Sequence, residues 1–219
     1  TSMRLIVLQG SYKTVTSVNG TGLNVSVSKP GVRVEGLSVE FGASRVGDDL
    51  SFSGAPGRTL AVVGESGSGK SITSLSIMRL ADMSGAKFPN GRILFNGPDG
   101  ERDLLKAYQK AMRGIRGKDI AMIFQEPMTS LNPVFTIGNQ ISEVLMLHEG
   151  MSKSAALAEG KRLLEMVRLP DADGLLKRYP HQLSGGLRQR GLIAQPLACR
   201  PKLLIADEPS NAPDGTTPA

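Results

Sequence analysis

The sequence predicts an α/β fold with an antiparallel β part and a helical subdomain inserted into its core. Three observations predict it. An apolar run over 60–63 enters a glycine-rich loop that opens a helical pattern. A second apolar run over 203–206 ends in two carboxylates, Asp207 and Glu208. Between them, from about 130 to 182, the apolar spacing becomes helical.

The elements follow in order. Residues 1–31 are rich in Ser, Thr, Val, Gly and Asn. Asn19-Gly20 admits a hairpin, and the composition equally admits an unstructured leader; the segment is assigned no function. From Val32, the residues Val34, Leu37, Val39 and Phe41 alternate with polar neighbours, with a phase slip at Gly36 where a bulge fits. Short strands are expected over 50–53, 60–63, 92–95 and 120–124, and helices over 70–81 and 104–112. Ile137, Ile141, Val144, Leu145 and His148 share one helical face. A second helix, capped by Ser152 or Ser154, turns Leu157, Leu164 and Val167 inward.

Composition narrows the classes. The chain has 219 residues, 40% hydrophobic and 21% charged, as in ordinary globular domains. No stretch approaches the roughly 18 apolar residues of a membrane-spanning helix, and 5–8 is too short for a signal-peptide core. The lone Cys199 excludes an internal disulfide framework and fits a reducing compartment. No Cys/His cluster points to zinc. The net charge of +6 is spread along the chain, a weak pointer to an anionic partner.

Gly64-Glu65-Ser66-Gly67-Ser68-Gly69-Lys70-Ser71 matches G-x-x-x-x-G-K-[ST] between a strand and a helix. Glycines let successive amides turn inward against a phosphate, and the first helical turn adds unpaired N–H groups. Lys70 supplies a cation between the β and γ phosphates, and the Ser71 hydroxyl is placed for Mg²⁺. Asp207 is suited to hold Mg²⁺ through water, and Glu208 to polarise an attacking water. Ser184 caps a further helix whose first amides Gly185 and Gly186 expose. That is a second anion site or an ordinary capped helix.

The phosphate loop, Leu183 to Arg190 and Leu203 to Glu208, in that order along the chain, resemble the ATP-binding subunit of ABC transporters, with a P-loop NTPase core. The stretch Ile123-Phe124-Gln125-Glu126-Pro127-Met128-Thr129-Ser130-Leu131-Asn132-Pro133 and Tyr179-Pro180-His181-Gln182 resemble the bacterial importers of di- and oligopeptides, including the glutathione and nickel branches. The resemblance runs from about Val32 to Asp214, so 32–219 is expected to be one ATP-binding domain. It implies that Phe41 stacks on adenine, that 64–71 wraps the triphosphate of ATP, and that Gln125 senses Mg²⁺ and the γ phosphate. Ser184, Gly185, Gly186 and Gln189 would close over ATP held by a second ATP-binding subunit. Asp207 and Glu208 match the metal-binding acid and the catalytic base. Implied partners are transmembrane permease subunits and, indirectly, a solute-binding protein, at the cytoplasmic face of the bacterial inner membrane. No nucleic acid is expected.

Departures from that family carry expectations of their own. Its switch histidine follows the acidic pair, whereas His148 and His181 both precede it. Its sheet gains further strands after the pair, one of them between the phosphate-loop strand and the acidic strand. The chain is therefore expected to be C-terminally truncated, with a sheet lacking a central member and with unpaired edges. Pro196 and Gly191 stand inside the helix beginning at Gly185, costing about 3 and about 1 kcal/mol. Pro213 replaces the usual leucine, while Asp214 matches the loop aspartate. The leading function is ATP hydrolysis energising import of a peptide-like solute. The alternatives are a nucleotide-binding fragment without turnover and a DNA-maintenance ATPase of the same superfamily. The absence of sustained heptads between Lys70 and Ser184 disfavours the last.

Overall fold

The computed structural model describes residues 2–8, 15–17, 31–65, 67–124 and 131–207. They fall into two compact units, one of Thr1–Met122 with Pro201–Asp207 and one built from Ile123–Arg200. The helices expected over 130–182 lie within the second.

The first unit holds two sheets. An antiparallel sheet has the order β4-β3-β7-β8, from β3 (Val32–Phe41), β4 (Ser44–Gly54), β7 (Arg92–Gly97) and β8 (Gly100–Asp103), with β6 (Ala86–Lys87) also paired to β3. Val32, Val34, Leu37 and Val39 of β3 are buried. The phase slip expected at Gly36 is a bulge: its φ is +57° and the β3–β4 register shifts between Val34 and Leu37. β4 is far longer than the expected 50–53. It is an edge strand, so β3 satisfies its backbone while polar Arg45, Asp48 and Asp49 need no apolar period.

The second sheet has the order β2-β5-β1-β10-β9, from β1 (Ser2–Leu8), β2 (Val15–Ser17), β5 (Thr59–Gly64), β9 (Ile120–Ile123) and β10 (Leu203–Ala206). The expected gap beside the phosphate-loop strand is not there. β1 runs between β5 and β10, antiparallel to both, because an apolar strand with two open ladders beside it saturates its backbone on both sides. Asn19-Gly20 lies outside the described residues. The core lies between the sheets and combines Leu37, Ile93 and Phe95 with Leu60, Ile77, Ile120, Leu203 and Ile205. Burial pushes the Asp119 carboxyl up, against Lys118 and Lys202, while its carbonyl accepts from the Leu203 amide at 3.1 Å and ties β10 to the start of β9.

Helix α1 covers Lys70–Ile77, shorter than the expected 70–81. Arg79 at φ +53° ends it, and its guanidinium donates to the carbonyls of Leu104 and Leu105 at 2.6 Å each. The helix expected over 104–112 is a 3-10 turn, Leu104–Lys106, capped by Asp103, followed by extended Ala107 and Tyr108 and then α2 (Gln109–Ile115). Arg116, just past α2, donates to the carbonyls of Met78 (2.6 Å) and Arg79 (2.7 Å), closing the orphan carbonyls that follow α1. Burial pulls its pKa down despite nearby Asp82.

The second unit contains α3 (Ile137–Glu149), α4 (Lys153–Met166), α5 (Ala172–Lys177) and α6 (Gly185–Leu197), capped by Thr136, Ser152, Asp171 and Ser184. Ile137, Ile141, Leu145 and Leu164 are buried as expected, while Leu157 and Val167 are only half-buried and Leu163 takes an inward place the spacing did not single out. Pro196 does stand inside α6, but the helix ends one residue later, so the disruption falls on its last turn. Gly191 is buried, and a Cβ there would meet no atom within 4 Å.

Two stability changes are expected in urea unfolding. Arg116→Ala lowers stability by about 2 kcal/mol, since two carbonyls lose a charged donor, and Arg116→Lys restores less than half because one ammonium cannot reproduce the fork. Gly191→Ala raises stability by about 1 kcal/mol, because the helix gains propensity without a clash.

Candidate functional site

Strand β5 ends at Gly64 and α1 begins at Lys70, so five residues turn the chain from sheet to helix. The turn demands glycine. Gly67 and Gly69 both have φ +82°. A Cβ on Gly69 would also lie 2.6 Å from the Val46 carbonyl oxygen, so β4 backs the loop at a distance only glycine accepts. Ser66 lies outside the described residues; Gly64, Glu65, Gly67, Ser68 and Gly69 make up the rest of the turn.

Lys70 is 6% exposed, and its ammonium is enclosed by the loop it follows. Nζ donates to the Gly64 carbonyl (2.7 Å), the Glu65 carbonyl and Ser68 Oγ (2.9 Å). The cation is thus fixed at the centre of the turn. No side chain caps α1 and no acid stands in its first turn. Thr73 N bonds the Gly69 carbonyl at 2.9 Å, which leaves the helix's leading amides, near Lys70 and Ser71, directed at the loop's concavity. Farther along α1, Thr73 and Ser76 turn their hydroxyls back onto the Gly69 and Ile72 carbonyls, which lets polar residues be buried against the sheet.

Asp207 is 5% exposed and directly follows β10. Since β5 and β10 are each antiparallel to β1, they run the same way, and both leave the sheet at one edge. Leu5 of β1 is level with Ala61 and with Ala206, so Gly64 and Asp207 lie at neighbouring heights along that edge. A buried carboxylate and a buried ammonium thus stand where ligands of open α/β sheets collect. Glu208 and Gln125 lie outside the described residues, as do Pro213 and Asp214.

Phe41 ends β3, half-buried against the core and paired with Ser44 and Ala86. In the second unit, Ser184 Oγ accepts from the Leu187 amide at 3.4 Å, and Arg188 donates to the Leu183 carbonyl at 3.0 Å. Gly185 and Gly186 are exposed, with open space where a Cβ would go. Gln189 is half-buried on the next turn. Two contributors were not singled out from the sequence. The Val46 carbonyl behind Gly69 has no signal, because backbone contact is independent of side chain. β1 does have one: 5–8 is an unbroken apolar run, as in strands covered on both faces.

The ABC transporter family model matches residues 47–211. The chain is 54% identical over 193 residues to the glutathione import ATP-binding protein GsiA of Pectobacterium atrosepticum, covering 86% of this chain and 31% of that protein. It is 50% identical over 200 residues to GsiA of Salmonella typhimurium, covering 91% of this chain and 30% of the relative. The chain therefore spans about a third of the length of these curated relatives. Among solved structures, the dimeric post-hydrolysis state of the ATP-binding cassette MJ0796, bound to ADP and Pi, superposes with a TM-score of 0.64 at 22% identity. It covers 84% of this chain and 76% of that one, a likeness of fold.

Gly69→Ala tests the loop itself. It is expected to weaken MgADP binding at least tenfold in isothermal titration, since the added methyl meets both a positive φ and the Val46 carbonyl.

Proposed function

The chain belongs to the ABC transporter family, with the ATPase fold of that family, and from that premise we propose that it binds and hydrolyses ATP to energise import of a peptide-like solute. The observation that carries the reading is the Lys70 ammonium held inside a turn of carbonyls and a hydroxyl, at the foot of a helix with uncapped amides. Neutral acceptors hold the cation in place until a triphosphate, a stronger charged acceptor, replaces them. The loop is thus organised for phosphate before phosphate arrives, and no reorganisation is needed as charge develops.

The residues at the edge fit Mg²⁺. Ser71 offers a hydroxyl and Asp207 a buried carboxylate, both hard oxygen donors. No cluster of three or more His, Cys, Asp or Glu occurs among the described residues, so phosphate oxygens and water would complete such a site. Bound there, the ion would supply charge neutralisation to the phosphates. Gln125 would read the ion and the γ phosphate, and Phe41 would stack on adenine. Glu208, next after Asp207, would take the proton of the attacking water as the oxygen–γ-phosphorus bond forms and the bond to ADP breaks. Lys70 would hold the charge on the phosphoryl oxygens through that step.

The exposure of Gly185 and Gly186 at the start of α6 supports a role outside their own subunit. Together with Ser184 and Gln189 they would close over nucleotide on a second ATP-binding subunit, and hydrolysis would release that closure. Permease subunits would convert the motion into transport. The relatives' names support glutathione or a similar peptide as the solute. No helix among the described residues is long and apolar enough to cross a membrane, so the proposed place at the inner face of the bacterial inner membrane is peripheral and rests on those partners.

Lys70→Ala is expected to abolish MgATP binding by titration, and parent-like affinity in that variant overturns the site. Glu208→Gln is expected to retain binding while steady-state phosphate release falls at least a hundredfold. Release per subunit should rise with protein concentration if two subunits share each site; a rate independent of concentration from a monomer argues against it.

A further inference from the structure

Gln140 is a buried polar residue that the proposed mechanism leaves unused. It stands on the first turn of α3 and is 6% exposed. Its carboxamide meets the chain that enters the helix. Oε1 accepts from the Asn132 amide at 3.0 Å, and Nε2 donates to the carbonyls of Asn132 and Phe135, each at 3.0 Å. Asn132 Oδ1 accepts in turn from the Val134 amide at 3.1 Å. Val134 and Phe135 are exposed, so apolar burial does not hold this turn; the carboxamide does. With both of its ends bonded, the buried carboxamide selects one conformation of the turn, since any other leaves it unpaired.

The same helix start holds a second segment. The Ile137 amide, which has no acceptor inside its own helix, donates to the Arg178 carbonyl at 3.0 Å. A Cβ on Gly138 would lie 2.6 Å from the Leu176 carbonyl oxygen, so only glycine lets α5 come this near. From Arg178 the chain is bonded through to α6. Gln182 Oε1 accepts from the Tyr179 amide at 2.9 Å, and the Leu183 amide donates to the Pro180 carbonyl at 3.2 Å. Arg188 of α6 donates to the Leu183 carbonyl at 3.0 Å. Residues 132–135 and the approach to Ser184 are thus both tied to one helix start.

We propose that Gln140 is a positioning residue for turnover: its carboxamide fixes the chain that follows Gln125 to the first turn of α3, and the Ile137 amide carries that placement to the approach to Ser184. This rests on the roles proposed above for Gln125 and Ser184 and adds the link between them. The phosphate loop belongs to the first unit and takes no part in these bonds, so nucleotide affinity and turnover should separate.

Two substitutions break the link at its two ends. Gln140→Met keeps the side chain's length and removes all three bonds. Ile137→Pro removes the single amide donor to Arg178 at the first helical position, where proline is tolerated, behind an extended Thr136 (φ −68°, ψ 158°). Ile137→Val trims the side chain, keeps the amide and serves as the control. In hydrogen exchange read by mass spectrometry, Gln140→Met and Ile137→Pro should each speed exchange at least tenfold in peptides covering both 131–136 and 178–184. Ile137→Val should stay within about threefold of the parent in both. MgADP affinity should stay within about twofold in all three variants. kcat for ATP should fall at least tenfold in Gln140→Met and Ile137→Pro, with KM changing less than about threefold. The proposal is overturned if exchange rises only in the segment that each substitution touches, or if turnover stays parent-like in a variant whose exchange has risen in both. A fall in MgADP affinity in step with turnover also overturns it, since a purely structural defect gives that result. If Gln140→Met does not fold, Gln140→Glu, which keeps the acceptor for the Asn132 amide and loses the donor, is read in the same way. Reciprocal exchange changes in a chain whose parent hydrolyses no ATP overturn the hydrolysis reading, and the positioning role with it, while the link itself stands.

Discussion

The position of one ammonium group organises the candidate site. Lys70 Nζ is enclosed by the Gly64 and Glu65 carbonyls and the Ser68 hydroxyl, so strand end, turn and helix start are bound to a single cation. A buried lysine needs acceptors, and the turn supplies three from its own length. The same acceptors fix where the ammonium stands. What surrounds the loop serves to keep that turn in place: β4 presses its Val46 carbonyl against Gly69, and Arg116 ties down the chain just beyond α1.

The first unit achieves this with two sheets sharing one core. Side chains of β3 and β7 meet those of β5, β9 and β10 around Ile77 and Met78, at and just beyond the end of the phosphate-loop helix. α1 is therefore held at both ends, by the loop's cation at its start and by core packing and Arg116 at its finish. Asp207 gains its position differently. It is the residue after a four-residue strand whose Leu203 and Ile205 are fully buried, so its height along the sheet is fixed by the register of β10. In the second unit, Ser184 does for α6 what an N-cap does anywhere, and among the described residues nothing lies within 4 Å of where a Cβ on Gly185 or Gly186 would go.

Much of this was legible in the sequence. The glycines at 67 and 69, the lysine that follows and the acid at the end of an apolar run were readable because each has a local physical requirement: positive φ, a cation next to a helix start, a strand end. The bulge at Gly36 was readable from a broken alternation for the same reason. The length of β4 was not, because an edge strand is held by backbone pairing and its side chains keep no period. Nor was the break in the expected helix over 104–112, where Asp103 caps a 3-10 turn and the chain extends through Ala107 and Tyr108 before α2 begins. The apolar spacing there suited a helix, and the cap won.

By itself, then, the sequence determined the chemistry: which residues could meet phosphate, which could meet a metal, and that a strand, a glycine turn and a helix would present them. Those are local properties, set by φ, charge and apolar period within a few residues. Only the tertiary structure decided which strand stands between β5 and β10, because strand pairing joins segments nearly two hundred residues apart and any apolar run with a free backbone can compete for an open ladder. In the structure residues 2–8 stand there, with Leu5 level with both Ala61 and Ala206.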